Sequence, residues 1–330
     1  MPLRTKIIHV FTAICLLVGL AFAPAGAEPR AQKKDKDDDP NTGRHILWTE
    51  PTDIESRDLF YGIGSSQGTP DLSGKFTFVR RSTAGTSEKI IVKDDKGRSW
   101  TVKFGPEARV ETAVTRIVWA AGYHVDEAYF VKKAFIEGRG GFEVWDVRFE
   151  RRDNLYKDLG SWKWFANPFL GTREYDGLRT LMMVVSNWDL KDDNNKIVRP
   201  NKESGGDRSL RIHYISDLGG TLGKTGNPIR KTWFLRNLPG GTKDDPEGYS
   251  NQVFINGVNN GTVDFNYKGK NHTLPRGVKV EHARWMGNLL GRLSDKQLSD
   301  AFRAGGFTES EITTYVSEIR DRINQLKALK

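Results

Sequence analysis

The chain has 330 residues, with 51 Lys and Arg against 42 Asp and Glu, a formal charge of +9, and a single cysteine, Cys15. With one thiol there is no intrachain disulfide framework and no thiolate zinc site. Acids are interleaved with the bases, as in Lys89-Ile-Ile-Val-Lys-Asp-Asp-Lys96, and no stripe of arginines and aromatics marks a nucleic-acid site.

In chain order, Arg4 and Lys6 precede an apolar run from Ile7 to Phe22, and Ala25-Gly26-Ala27 follows. That is the layout of a secretory signal peptide over residues 1–27, with cleavage before Glu28. The apolar run is shorter than the ~20 residues of a membrane span, so export to a periplasm or to the outside is expected, with no membrane span after cleavage. Residues 28–44 are charged and poor in large apolar side chains, which predicts a disordered tether.

Three strands follow: Lys75 to Arg81, Lys89 to Lys93 and Trp100 to Phe104. The small-residue turn Ser82 to Ser87 joins the first two, and Asp94-Asp-Lys-Gly97 joins the second and third as a hairpin. Gly105-Pro106 opens a helix with Val110, Val114, Ile117 and Val118 at helical spacing, ended by Gly122. Residues 127–134 and 141–150 read as two more strands. A second helix is predicted over 175–186 and a short strand over 211–216. The segment 220–275 is rich in Gly, Asn and Pro and predicts long loops. Three helices close the chain, over 280–293, 294–304 and 308–326, with Ser294 and Thr308 as N-caps and Thr308-Glu-Ser-Glu311 at capping-box spacing. The pattern is α+β and bilobal: a small antiparallel β-sheet lobe with one helix over 45–150, and a mostly helical lobe over 151–330. His213, Trp162 and Trp164 read as packing residues.

The residues that can carry chemistry come in a fixed order. Asn187-Trp188-Asp189-Leu190-Lys191-Asp192-Asp193-Asn194 follows an apolar helix, with Asp and Asn five residues apart and a Lys two after the Asp. Such a loop can orient a hydroxyl on Asp189, hold a magnesium ion on Asn194 and neutralise phosphoryl charge with Lys191. Ile215-Ser216-Asp217-Leu218-Gly219 delivers an acid from a strand into a glycine turn, where Asp217 can chelate magnesium. Lys103 on the third strand precedes a helix bearing Glu107 and Glu111. Glu111 lies beside the apolar stripe and is expected to face Lys103, whereas Glu107 sits near the helix start, where an acid is favourable in any case. The turn before the second strand offers Ser82, Thr83, Gly85 and Thr86 to phosphates, although the full G-x-G-x-x-G is absent.

Taken together, these elements make residues 75–325 resemble the protein-kinase-like superfamily, and its atypical members of the HipA and phosphoinositide-kinase types more than the regulated kinases. The resemblance rests on Lys103, Glu111, Asp189, Asn194 and Asp217. It implies a cleft that binds ATP with Mg2+, or Mn2+ in its place, and transfers phosphate to a hydroxyl on a protein, sugar or lipid. Adenine is then expected near Phe142 to Phe149. Asn187 stands where the family has His, Leu218 where it has Phe, and no Ala-Pro-Glu closes the later segment, so the resemblance does not extend to the acceptor. The alternatives are a pseudokinase-type module that binds a nucleotide or partner, and nucleotidyl transfer on the same scaffold.

Overall fold

A computed structural model describes residues 36–82, 88–152, 155–226 and 240–330. The expected signal at 1–27, the first part of the tether, and the phosphate-loop residues Thr83, Gly85 and Thr86 lie outside them. The described elements in chain order begin with β1 (Arg44–Ile46), the short α1 (Ser65–Gly68), β2 (Phe76–Ser82), β3 (Lys89–Asp94) and β4 (Ser99–Lys103). Next come α2 (Glu107–Ala120), β5 (His124–Val125), β6 (Ala128–Glu137), β7 (Phe142–Arg152), β8 (Tyr156–Gly160) and α3 (Arg173–Val184). The remainder is β9 (Asn195–Pro200), β10 (Leu210–Ile215), α4 (Pro246–Ser250), β11 (Ile255–Asn259), β12 (Thr262–Phe265), α5 (Val280–Leu290), α6 (Asp295–Ala304) and α7 (Glu309–Lys327). The two lobes of the expected α+β fold are both present. No helix among the described residues is long and apolar enough to cross a membrane.

The small lobe differs in one respect from a plain antiparallel sheet. Strands β2-β3-β4-β7-β6 close into a barrel, because β2 pairs with β6 in parallel at Phe76↔Ile136 and Thr77↔Glu137. Closure removes the free edges of the sheet. Its interior is a cluster of Phe76, Trp100, Tyr129 and Phe149 with aliphatic neighbours, with rings packed edge to face at 5.0 to 6.1 Å. Each such buried side chain stabilises the fold by about 2 kcal/mol. The β3–β4 hairpin forms where expected: Asp94 Oδ1 accepts the N–H groups of Lys96 and Arg98, and Gly97 supplies the positive φ of the turn.

Helix α2 belongs to the other core. Val110, Val114, Ile117 and Val118 belong to the large apolar cluster that also takes in residues of α3, α5, α6 and α7, with α2 lying against α6 and against β5, β6 and β7, and the barrel cluster contains no residue of α2. In the second sheet, β10 pairs antiparallel with β9 on one side, while β1 and β5 share its other edge in parallel. The predicted capping box forms at Thr308/Glu311, and the predicted N-cap Ser294 forms a second box with Gln297. His213, Trp162 and Trp164 are buried, as expected of packing residues.

Two expectations need correction. The charged tether predicted to run to residue 44 ends earlier: Asp38 is gripped by Lys157 and Arg199, and Arg211 binds the carbonyls of Asp37 and Asp39 before β1 joins β10. Charge made that stretch look solvated, but the Asp38 carboxylate is held by the buried Arg199 and by Lys157, and the buried Arg211 holds the main chain on either side of it. The region 220–275 is not all loop, since α4 and the β11–β12 hairpin lie within it.

Candidate active site

Three elements bring acids to one ammonium. Lys103, at the end of β4, is 3% exposed and points at α2. Its Nζ lies 3.1 Å from Glu111 Oε2, 2.9 Å from Glu107 Oε2 and 2.8 Å from Asp217 Oδ1. Glu111, 1% exposed, turns its second oxygen to Arg148 on β7, which also binds Glu150. The pair forms because β4 and β7 align Lys103 with Arg148. Burying this many charges is tolerable only because each is paired. Glu111 thus faces Lys103 as expected. Glu107 does so too, although its place at the helix start suggested exposure. Its outer oxygen accepts from Lys243 at 2.5 Å. Burial alone would raise the Glu107 carboxyl, but Lys103 and Lys243 overcome it and hold the group at about 2.

Asp217 is the half-exposed member of the group, its side chain 47% accessible. It sits one residue past Ser216 at the end of β10 with φ of +49°, a left-handed conformation unusual for a side-chain-bearing residue. Such strain persists only where the surroundings enforce it. Here Leu218 is locked into the core, and Gly219 passes so close to α2 that a Cβ there would stand 2.8 Å from the Glu107 Cβ.

The second constellation is the loop after α3. The Asn187 side chain accepts the N–H of Asp189 at 3.0 Å and so fixes the start of the loop. Asn194 Nδ2 donates to the Asp189 carbonyl at 2.7 Å and closes the loop. Lys191 Nζ and Lys270 Nζ flank the Asp189 carboxylate at 2.7 and 2.9 Å. Burial would raise Asp189, but these two ammonium groups hold it below its ordinary value. Burial likewise opposes the charge on Lys191, yet the carboxylates of Asp189 and Asp217 keep its pKa raised.

The β9–β10 hairpin joins the two constellations. Asn194 immediately precedes β9 and Asp217 follows β10 by two residues, so the antiparallel pairing sets both at the same end, where Ser216 N–H donates to the Asn194 carbonyl at 2.9 Å. Trp188 N–H donates to Gly220 O at 3.0 Å, and a Cβ on Gly220 would stand 2.9 Å from the Asp189 Cβ. Lys103, Glu111, Asp189, Lys191, Asn194 and Asp217 therefore converge on one region. Ser82 ends β2, opposite Lys89, which in turn is opposite Lys103. Lys243, Lys270 and Arg148 were not anticipated; the first two lie in the glycine-rich segment where no periodicity points to them.

One oxygen each of Glu107, Glu111 and Asp217 lie within 4.8 Å of one another. An all-oxygen donor set suits a hard cation such as Mg2+ or Mn2+. The Lys103 ammonium occupies the middle of that triangle, so Asp217, with its exposed side, and the neighbouring Asn194 are the residues with capacity to hold an ion.

A cavity of about 400 Å³ opens past the end of β7, lined by Glu150, Arg152, Tyr156, Asp126, Lys196 and Tyr214 among others. It lies beyond the Phe142 to Phe149 stretch expected to receive a base, because Phe149 is consumed by the barrel core. Asp126 accepts from Ser216 Oγ at 2.7 Å and pairs with Lys196, and burial nevertheless pushes its carboxyl up.

A β-barrel lobe presenting a lysine to a helix glutamate, over a loop Asp/Asn pair and a strand-end Asp, defines a kinase-like two-lobed architecture. No protein-family model matches the chain, and no curated protein matches it. Among solved structures, the chain is similar to the Helicobacter pylori proinflammatory kinase CtkA, at 12% identity over 79% of this chain and 95% of that one, with a TM-score of 0.42. It is also similar to the Rio2 kinase of Chaetomium thermophilum in an ADP/Mg2+-phosphoaspartate complex, at 15% identity over 76% of this chain and 72% of that one, with a TM-score of 0.33. The kinase-like arrangement rests on this chain's own strands and side chains rather than on these distant likenesses.

Proposed function

We propose that the chain is an exported, atypical kinase-like phosphotransferase that moves the γ-phosphoryl group of Mg-ATP to an acceptor hydroxyl. The observation that carries this is the contact of the buried Lys103 with both Glu111 and Asp217, residues from three separate elements. In this reading Lys103 exchanges its contact with Asp217 for a phosphate oxygen while Glu111 keeps it in place. Asp217 and Asn194 hold the metal, which supplies neutralisation of the phosphate oxygens. Asp189 receives the acceptor hydroxyl. Its depressed pKa makes it a poor base at neutral pH, so its main task is to orient the hydroxyl. The acceptor O–P bond forms as the bond from the γ-phosphorus to the bridging oxygen breaks, ADP departs, and the hydroxyl proton leaves through Asp189 to solvent. Lys191 offsets charge on the group in transit. The base belongs in the cavity at Glu150 to Arg152, and of the residues expected to cover the phosphates Ser82 is the one among the described residues.

A second reading, a module that binds nucleotide without transferring phosphate, is favoured by one observation: three carboxylates already surround the Lys103 ammonium. Purified protein is expected to rise in melting temperature with Mg-ATP through mass action, and Asp217→Ala to lose the rise. Label from γ-ATP appearing in an acceptor separates transfer from binding, and label from α-ATP instead marks nucleotidyl transfer. No thermal shift at all removes every nucleotide reading.

A further inference from the structure

We infer that the acceptor carries an anionic group beside its reacting hydroxyl and that Lys270 selects for it, an inference that rests on the phosphotransfer reading above. The local charge around Asp189 is unusual. One carboxylate is bracketed by two ammonium groups, Lys191 on Oδ2 and Lys270 on Oδ1. The adjacent Asp192 turns its Oδ1 to the main-chain N–H of Trp164 at 3.0 Å. The resemblance accounts for Lys191 as a partner of the phosphoryl group in transit, and leaves Lys270 unassigned.

Lys270 is not a stray surface lysine, for its main chain is tied to the loop it serves. Lys270 N–H donates to Trp188 O at 2.7 Å, Tyr267 Oη donates to Lys270 O at 2.8 Å, and the next residue, Asn271, donates from Nδ2 to Leu190 O at 2.6 Å. Gly269 permits the approach, since a Cβ there would stand 2.6 Å from Trp188 O. The backbone is fixed, while the side chain stays 40% exposed and its ammonium can leave the carboxylate. When a hydroxyl takes up Asp189, this cation stands next to the substituents flanking that hydroxyl. A phosphate or carboxylate there gives the ammonium displaced from Asp189 a new partner, whereas a neutral acceptor offers it none. Charge-matched contacts of this kind set specificity. The anion can come from a small phosphate ester or from an acidic side chain in a peptide.

The test uses matched acceptors with γ-labelled ATP: a serine peptide flanked by aspartates against one flanked by asparagines, and a sugar phosphate against the free sugar. Wild-type protein is expected to favour the anionic member of at least one pair by about ten-fold or more in kcat/KM, the scale of one charge-assisted hydrogen bond. Lys270→Gln should bring that ratio to near one, and Lys270→Arg should restore most of it. Which pair responds identifies the source of the anion. Equal use of both members in both pairs, or a preference that survives Lys270→Gln, overturns the inference, as does a rise in KM for ATP with the ratio unchanged. ATP hydrolysis with water as acceptor is followed in parallel. Hydrolysis that depends on Asp217 without acceptor discrimination leaves phosphotransfer standing and removes only the selection by Lys270. Absence of any nucleotide turnover removes both.

Discussion

Glu111→Gln separates the charge of the α2 acid from its shape. Glu111 bridges two buried cations, Lys103 on one oxygen and Arg148 on the other. The amide keeps the volume but offers one acceptor and no charge, so each cation loses a charge-assisted contact of roughly 1.5–3 kcal/mol. Breaking an isolated buried pair costs about 3–5 kcal/mol. Here Lys103 retains Glu107 and Asp217, and Arg148 retains Glu150, so the loss should fall near the bottom of that range, at about 3 kcal/mol. For a body of this size, each kcal/mol moves the melting temperature by roughly 2 °C. Thermal unfolding followed by circular dichroism should therefore drop by about 6 °C, with a weaker Mg-ATP-induced rise than wild type because Lys103 is no longer held from the α2 side. A melting temperature within about 1 °C of wild type would refute the assignment of the Lys103–Glu111–Arg148 chain as a structural tie, since ~0.5 kcal/mol is the scale of an ordinary exposed pair.

Three further outcomes follow from the site and its surroundings. Asp189→Asn should abolish transfer to the acceptor while the Mg-ATP thermal shift persists; a variant that loses nucleotide binding would place Asp189 on the wrong side of the cleft. Gly219→Ala forces a Cβ against Glu107 at 2.8 Å and should cost about 1–3 kcal/mol by overpacking, measured by urea unfolding, with wild-type stability contradicting the close approach. His213 is 1% exposed, and burial, with His45 and His124 nearby, lowers its pKa to about 3. The unfolded chain takes up this proton near pH 6.5 and the folded chain does not, so stability from this group is full above 6.5 and is lost as pH falls from there toward about 3. His213→Phe should flatten that part of the stability–pH curve relative to wild type, and an unchanged slope would place the titration elsewhere.

The site residues were legible in the sequence where their types are scarce and their element is well marked. Lys103 ends a strand bounded by Gly105-Pro106, and Glu111 sits beside the valines of an evident helix. Asp217 follows a strand and precedes two glycines whose missing side chains prove necessary against Glu107 and Asp189. Glu107 was misjudged because sequence distance says nothing of the turn that folds back over the helix start. β9 was hidden because it carries Lys196 and Arg199, which pair with Asp126 and Asp38, so that Arg199 is buried by its ion pair rather than by being apolar. Lys243 and Lys270 lie in irregular chain held by main-chain bonds to Lys224 and Trp188, and no periodic pattern encodes such placement.

The division of the interior into two cores has a mechanical corollary. Lys103 rides on the barrel, while Glu111 rides on a helix anchored in the larger body, where Arg109 is further fastened to Asp244 and Glu311. Any hinge-like gaping between barrel and body must stretch the Lys103–Glu111 link before it disturbs either interior. The charge pair is thus a latch on the seam, and salt or acid strong enough to weaken it should loosen the clasp while both halves stay folded.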